Sequence, residues 1–162
     1  MVVDMTLGSH KRAFLSNVAS ANAGSPHVFN ILISAGHDNG DLVGRSVQWA
    51  TGEFDVYNEA ALGDSAFAGM IQGQDGNGDW IIDVTAVDGK TFLLYNSAIS
   101  PYPEKKLQDE RIMYNKAATV VSGYQLIVGD EFAVSENGFS GKAPAAGKTV
   151  TFDASTKKYV VA

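Results

Sequence analysis

Three stretches of this chain carry residue types that could do chemistry. His37 and Asp38 are adjacent, and a histidine beside a carboxylate could act as a general base with its orienting partner. Asp75, Asn77 and Asp79, in the stretch DGNGDW, have the first three ligand spacings of a calcium-binding loop. GKAPAAGKT, residues 141–149, has the look of a phosphate loop, whose backbone amides would cradle phosphate at the start of a helix.

The neighbours of each stretch argue against that chemistry. A calcium loop needs Gly at its sixth position and Glu at its twelfth, and here those are Trp80 and Ala86. DGNGDW therefore reads as a polar hairpin tip. The phosphate pattern needs Gly five residues before Gly147, where Lys142 stands, and the VTFDAS that follows reads as a strand. His37-Asp38 lies in AGHDNGD, a turn composition in which both residues are common for solvation alone. His10, His27 and His37 show no spacing suited to a metal-binding helix, and the chain has no cysteine, which removes thiolate chemistry, cysteine metal sites and disulfides. No Gly-x-Ser-x-Gly elbow occurs. Asp109 and Glu110 are adjacent and would point apart on a helix. The expectation is a protein with no catalytic residues, no bound metal and no cofactor, and not an enzyme.

The elements that would have to position any site are strands. A chain of 162 residues with 45% hydrophobic and 19% charged residues can bury one core, so a single domain with an arm is expected. Seventeen glycines against four prolines suit many turns. A net charge of -6 argues against nucleic-acid binding, which needs a surplus of Lys and Arg on one face. No apolar run approaches a membrane span, and the first residues lack the basic start and apolar core of a secretion signal. An origin inside a cell is expected.

Residues 1–27 read as an extended N-terminal arm, because SNVASANAGSPH is small, polar and weakly periodic. Met5, Leu7, Phe14 and Leu15 are its apolar islands. They would either close one edge of the core or anchor the arm on a neighbouring subunit. Residues 28–162 read as a β-rich domain. HVFNILIS leads to a turn at Asn39-Gly40. SAFAGMIQG opposes Phe67, Gly69 and Ile71 to Ala66, Ala68 and Met70. Asp88-Gly89 reads as a two-residue hairpin loop pairing Val84 with Leu93 and Ile82 with Tyr95, which would set Trp80, Ile82, Val84, Leu93 and Tyr95 on one face. Gly129-Asp130 reads as part of a three-residue turn pairing Val128 with Phe132 and Leu126 with Val134. KTVTFD and KYVVA form a last hairpin with Phe152 opposite Tyr159. Trp49 and Trp80 each sit in an alternating strand and are expected in the core. A helix is expected over Pro101–Ala117, with Leu107, Arg111 and Tyr114 on one face. The fold class is mainly β: a small barrel or sandwich with one short helix and an extended arm.

An ordered series of motifs runs through the second half: LLYNSAI (93–99), QDE (108–110), Tyr114-Asn115, GYQL (123–126), GDEFAVS (129–135) and GFSG (138–141). In this order it resembles the C-terminal halves of tailed-bacteriophage head decoration proteins, also called auxiliary or cement capsid proteins. The likeness covers about residues 90–141. It implies a virion protein, assembled in the host cytoplasm, that binds the outer surface of a capsid and bridges neighbouring subunits of the major capsid protein. It further implies a homo-oligomer, with a trimer as the expectation, and carries over no catalytic residue. Another virion component, such as a head-fibre base or tail part, is the alternative. So is a carbohydrate-binding β-module using Trp49 or Trp80 as a stacking platform.

Overall fold

The computed structural model describes residues 2–3, 10–14, 27–52, 54–96 and 113–162. Strands dominate them, and the fold is mainly β. Short apolar pairs at the start give β1 (Val2–Val3) and β2 (Ala13–Phe14). A closed barrel is built from β3 (Val28–Leu32), β4 (Leu42–Trp49), β5 (Val56–Ala60), β8 (Thr91–Leu94) and β10 (Val120–Gln125), in the order β10-β3-β5-β4-β8. A seven-stranded sheet lies against it, in the order β12-β14-β13-β6-β7-β11-β2. Its members are β6 (Phe67–Gln74), β7 (Trp80–Val87), β11 (Glu131–Val134), β12 (Phe139–Gly141), β13 (Thr149–Asp153), β14 (Lys158–Val161) and β2. A separate pair joins β1 to β9 (Met113–Tyr114). Among the described residues the helical content is one 3-10 turn, Glu136–Gly138.

Two cores follow from this arrangement. Inside the barrel lie Ile31, Ile33, Val43, Phe92, Leu94 and Val121. Between barrel and sheet lie Leu42, Leu93 and Leu126 from one side and Phe67, Ile71, Ile82, Val84, Phe132, Val134, Val150 and Tyr159 from the other. Strand β8 is buried at every position because its alternate side chains enter both cores, Phe92 and Leu94 the barrel and Leu93 the junction. That is why Phe92-Leu93-Leu94 is apolar without alternation. The barrel is narrow, so one inward position must be glycine: a Cβ on Gly123 would lie 2.4 Å from Ile31 Cδ1.

Several expectations hold. Phe67, Gly69 and Ile71 are buried on β6. DGNGDW is the tip of the β6–β7 hairpin, with Gln74 opposite Trp80. The final hairpin pairs Phe152 with Tyr159. Residues 141–149 form a turn leading into a strand, with no helix after them.

Two hairpins read from the sequence are corrected. Asp88-Gly89 does not join paired strands: β7 pairs with β6 and β11, while β8 pairs with β4 and β10. The pairings of Val84 with Leu93 and Ile82 with Tyr95 are therefore absent. Gly129-Asp130 likewise follows β10, which pairs with β3 and β8, and precedes β11, which pairs with β7 and β2. At each turn the chain crosses between sheet and barrel. The apolar faces still converge, since Ile82, Val84, Leu93, Leu126, Phe132 and Val134 share the junction core, but Val128 is exposed. Apart from Val128, these residues found their side without finding the expected neighbour.

Trp49 is corrected as well: it lies at the barrel surface, half exposed, with its ring stacked on Tyr57 at 4.2 Å. Trp80 packs against the junction core, partly buried. The helix expected over Pro101–Ala117 falls outside the described residues as far as Ile112. Its last five positions are not helical, since Met113–Tyr114 are strand, Asn115 makes a bridge to His37, and Ala117 lies in a turn. Of the arm residues, Met5, Leu7 and Leu15 lie outside the described set. Phe14 pairs along β2 with Ala133, so the segment entering at residue 10 is part of the sheet, with Lys11 and Ala13 buried in it.

Candidate functional site

The turn that carries Asn39-Gly40 is more than a reversal. It presents a run of polar groups to the junction of barrel and sheet, and most of them are buried. Asp41 and His37 are 1% and 5% exposed, and Lys11, arriving from the N-terminal segment, is 4% exposed. Charges are placed at such depth only when partnered. The Lys11 Nζ lies against Asp41 Oδ1, and the Asp41 Oδ2 faces His37 Nδ1 at 2.9 Å. On the far side of the ring, His37 Nε2 meets Glu59 Oε1 at 2.8 Å. Glu59 Oε2 accepts from the Ser34 backbone N–H at 2.7 Å and from the Ser34 hydroxyl at 2.9 Å.

This ring geometry dictates a protonation state. A neutral imidazole has one N–H, yet both His37 nitrogens face carboxylates. Burial opposes the imidazolium, but the bonds and charges of Asp41 and Glu59 outweigh it and raise the His37 pKa. Burial pushes the Asp41 carboxyl up, and the Lys11 charge together with His37 pulls it further down, below the usual range. Glu59 is held at about 2, its own burial overcome by His37 and Ser34. Tyr159, fully buried, is raised well above its ordinary value by burial and by the Asp41 charge.

The surrounding turn is fastened by amides. Asn39 Nδ2 donates to Asn96 O at 2.8 Å, and Asn39 Oδ1 accepts from Asn96 N and from Asn115 Nδ2 at 3.0 and 3.1 Å. Gly40 has φ of 92°, and its N–H donates to Leu94 O at 2.8 Å. The other turn residues named from sequence have local duties. Asp88 Oδ1 accepts from Lys90 N and Thr91 Oγ1, both at 2.8 Å. Asp130 Oδ2 accepts from Ile127 N at 3.0 Å, while Gly129 N donates to Val84 O at 2.9 Å. Asp130 is itself buried.

The sequence reading paired His37 with Asp38. The structure instead separates them. His37 turns inward to Asp41 and Glu59, while Asp38 faces His10, with Nδ1 and Oδ1 2.5 Å apart. Three successive basic residues each meet an acid: His10 with Asp38, Lys11 with Asp41, and Arg12 with Asp79 at 3.1 Å. The run His10-Lys11-Arg12 was the available signal, together with the acids of HDNGD and Asp79, but their partnership spans from 28 to 67 residues of chain. Beside the network is an open cleft of about 370 Å³ lined by His10, Lys11, Asp38, Asp41, Asn137 and Lys157, among others. Among the described residues no group of histidines and acids has metal-binding geometry.

A second feature lies at the opposite character extreme. Val28, Val47, Trp49 and Phe54 are large apolar residues with 48%, 88%, 48% and 89% exposure. The register sets the start of β3, the end of β4 and the start of β5 at one end of the barrel: Asn30 lies beside Val56, and Trp49 opposite Tyr57. Arg45 stacks over Tyr57 there, its Cζ 3.8 Å from the ring centre. Among the described residues, no helix is long and apolar enough to cross a membrane. No family model, curated protein or solved structure matches this chain.

Proposed function

We propose that this protein is a structural component of a phage virion, a decoration protein that binds the outside of the capsid and bridges neighbouring major capsid subunits. The observation that carries the reading is the exposed apolar end of the barrel, Val28, Val47, Trp49 and Phe54. Burying such a set against a partner is favourable by about 25 cal/mol per Å², and apolar patches rimmed by polar groups mark interaction sites. The ordered motifs of residues 90–141 supply the kind of partner, a capsid shell. Many copies, each of modest affinity, would hold through repeated geometry. The acidic balance of the chain, -6, suits a basic rim on that partner.

The purified protein is mixed with undecorated expanded capsids and sedimented. Saturable binding at a fixed ratio per capsid subunit is expected, together with a higher pressure or temperature of shell rupture. Absence of saturable binding overturns the proposal. Particle imaging separates decoration of the head from a place on a head fibre or tail. Light scattering tests for the trimer.

One observation favours a carbohydrate-binding module as a second reading: Trp49 offers a half-exposed ring, backed by Tyr57, of the kind on which sugars stack. A tryptophan fluorescence shift across a glycan panel, lost in Trp49→Ala, would support it over the capsid reading.

A further inference from the structure

We propose that Lys11 and Asp41 become covalently joined, the lysine nitrogen and the Asp41 side-chain carbon forming an isopeptide amide with loss of one water. This goes beyond the capsid reading and does not depend on it.

Four features of the site point to this. The two groups are in direct contact, and both are almost wholly withdrawn from solvent. The Asp41 Oδ1 faces the Lys11 nitrogen and has no other partner among the described residues. The Asp41 Oδ2, in contrast, is held by two groups, His37 Nδ1 at 2.9 Å and the Asp38 backbone N–H at 3.1 Å. Finally, the Lys11 nitrogen also donates to Lys157 O, while Phe152 and Tyr159 place their rings 5.6 and 5.9 Å from it.

The two oxygens of Asp41 are thus differentiated as a condensation requires. The ion pair is the favoured state of the site, with Lys11 and His37 holding the Asp41 carboxyl low. The Phe152 and Tyr159 rings beside the nitrogen reduce its advantage over the neutral amine and acid, which is the minor state that reacts. A proton passes from the Lys11 ammonium to Oδ1, which leaves a neutral amine beside a carboxylic acid. The nitrogen lone pair forms the bond to Cγ, and the displaced electron pair collects on Oδ2. There the His37 imidazolium and the Asp38 N–H stabilise it, as preorganised donors stabilise an oxyanion. A second nitrogen proton moves to Oδ1, the C–Oδ1 bond breaks, and water leaves toward the adjoining cleft. The ammonium's three hydrogens end as one on the amide and two on water, and the charges of the pair cancel. The single N–H of the product retains Lys157 O as acceptor. Fixed contact between the reactants supplies the effective concentration that free lysine and aspartate lack. Glu59 acts as a positioning residue, keeping His37 charged and aimed at Oδ2.

Mass spectrometry of the intact, purified full-length chain tests this. The expected mass is about 18 Da, one water, below that of the sequence. Trypsin should release a branched peptide joining residues 1–12 to residues 13–45 through Lys11 and Asp41. Lys11→Arg and Asp41→Ala should each restore the full mass and abolish the branched peptide. His37→Gln should leave a fraction of the chain unclosed in a fresh preparation, and complete closure in that variant would remove His37 from the step. A folded wild-type chain at full mass overturns the proposal. So does a loss of water that tandem spectra place elsewhere, as at Asp88-Gly89, with no branched peptide.

Discussion

The phenol of Tyr159 donates a hydrogen bond to the carbonyl oxygen of Gly40 at 2.7 Å, between residues 119 positions apart. It ties the last strand, at the centre of the junction core, to the turn that carries Asp41. The Tyr159 ring is surrounded by Phe67, Phe132, Phe139 and Phe152 with centroids 5.1–5.9 Å away. The residue therefore serves two purposes, apolar packing with its ring and polar satisfaction with its tip.

Tyr159→Phe isolates the second purpose. The ring contacts persist, and the Gly40 carbonyl loses its phenol donor. A loss of about 1–3 kcal/mol is expected from leaving a buried acceptor unsatisfied. Urea unfolding should show a lower midpoint with an unchanged slope, and an unchanged midpoint would mean that water takes the place of the hydroxyl.

The His37–Glu59 pair predicts a pH dependence. The folded pKa of His37 lies above its ordinary value of 6.5, so its contribution is fully present below 6.5 and is lost as pH rises through the folded value. Glu59 is lowered from 4.5 to about 2, so its contribution is present above 4.5 and is lost as pH falls toward 2. Asp41, where it remains a free carboxylate, acts in the same direction as Glu59. Both contributions coexist between about 4.5 and 6.5, where stability should be greatest. Melting temperature followed across pH checks this, and His37→Gln should flatten the alkaline limb and weaken the acid one, leaving only what Ser34 holds at Glu59 and Lys11 at Asp41.

Gly123→Ala tests the tightness of the barrel. The added methyl would meet Ile31 Cδ1 at 2.4 Å and Ile31 Cγ1 at 3.2 Å inside a closed ring of strands. Overpacking of this kind costs about 1–3 kcal/mol. Gly73→Ala, with nothing within 4 Å of the new methyl, serves as its control. Equal melting temperatures for the two variants would show that the barrel can dilate.

Val47→Ser and Phe54→Ser separate surface function from folding. Both residues are nearly fully exposed, at 88% and 89%, so the isolated domain should change by less than about 0.5 kcal/mol. Capsid binding should fall by at least tenfold in the double variant. Unchanged binding would move the docking surface away from this end of the barrel.

Local pattern made much of this fold legible. Alternation marked the buried face of β6, and KTVTFD followed by KYVVA placed Phe152 opposite Tyr159, because that hairpin closes over few residues. Asp88-Gly89 and Gly129-Asp130 were readable as turns, since Gly89 and Gly129 have φ of 76° and 96° and the acids bind nearby amides. Their strand partners were not readable. A turn of the same composition can join two paired strands or carry the chain from sheet to barrel, and only the competition among distant strands decides between these.

The buried charges show the same division more sharply. The sequence by itself determined most of the apolar residues inside the β layers, though not the exposure of Trp49 and Val128, where the chain could reverse, and that cysteine chemistry was unavailable. It placed His37 beside Asp38, as neighbours along the chain. The tertiary structure decided that His37 instead meets Asp41 and Glu59, and that Lys11 comes to rest against Asp41. The physical reason is that a buried charge is tolerable only with a partner. The partner is chosen by which strands close the barrel and which segment seals its junction with the sheet, not by proximity in sequence.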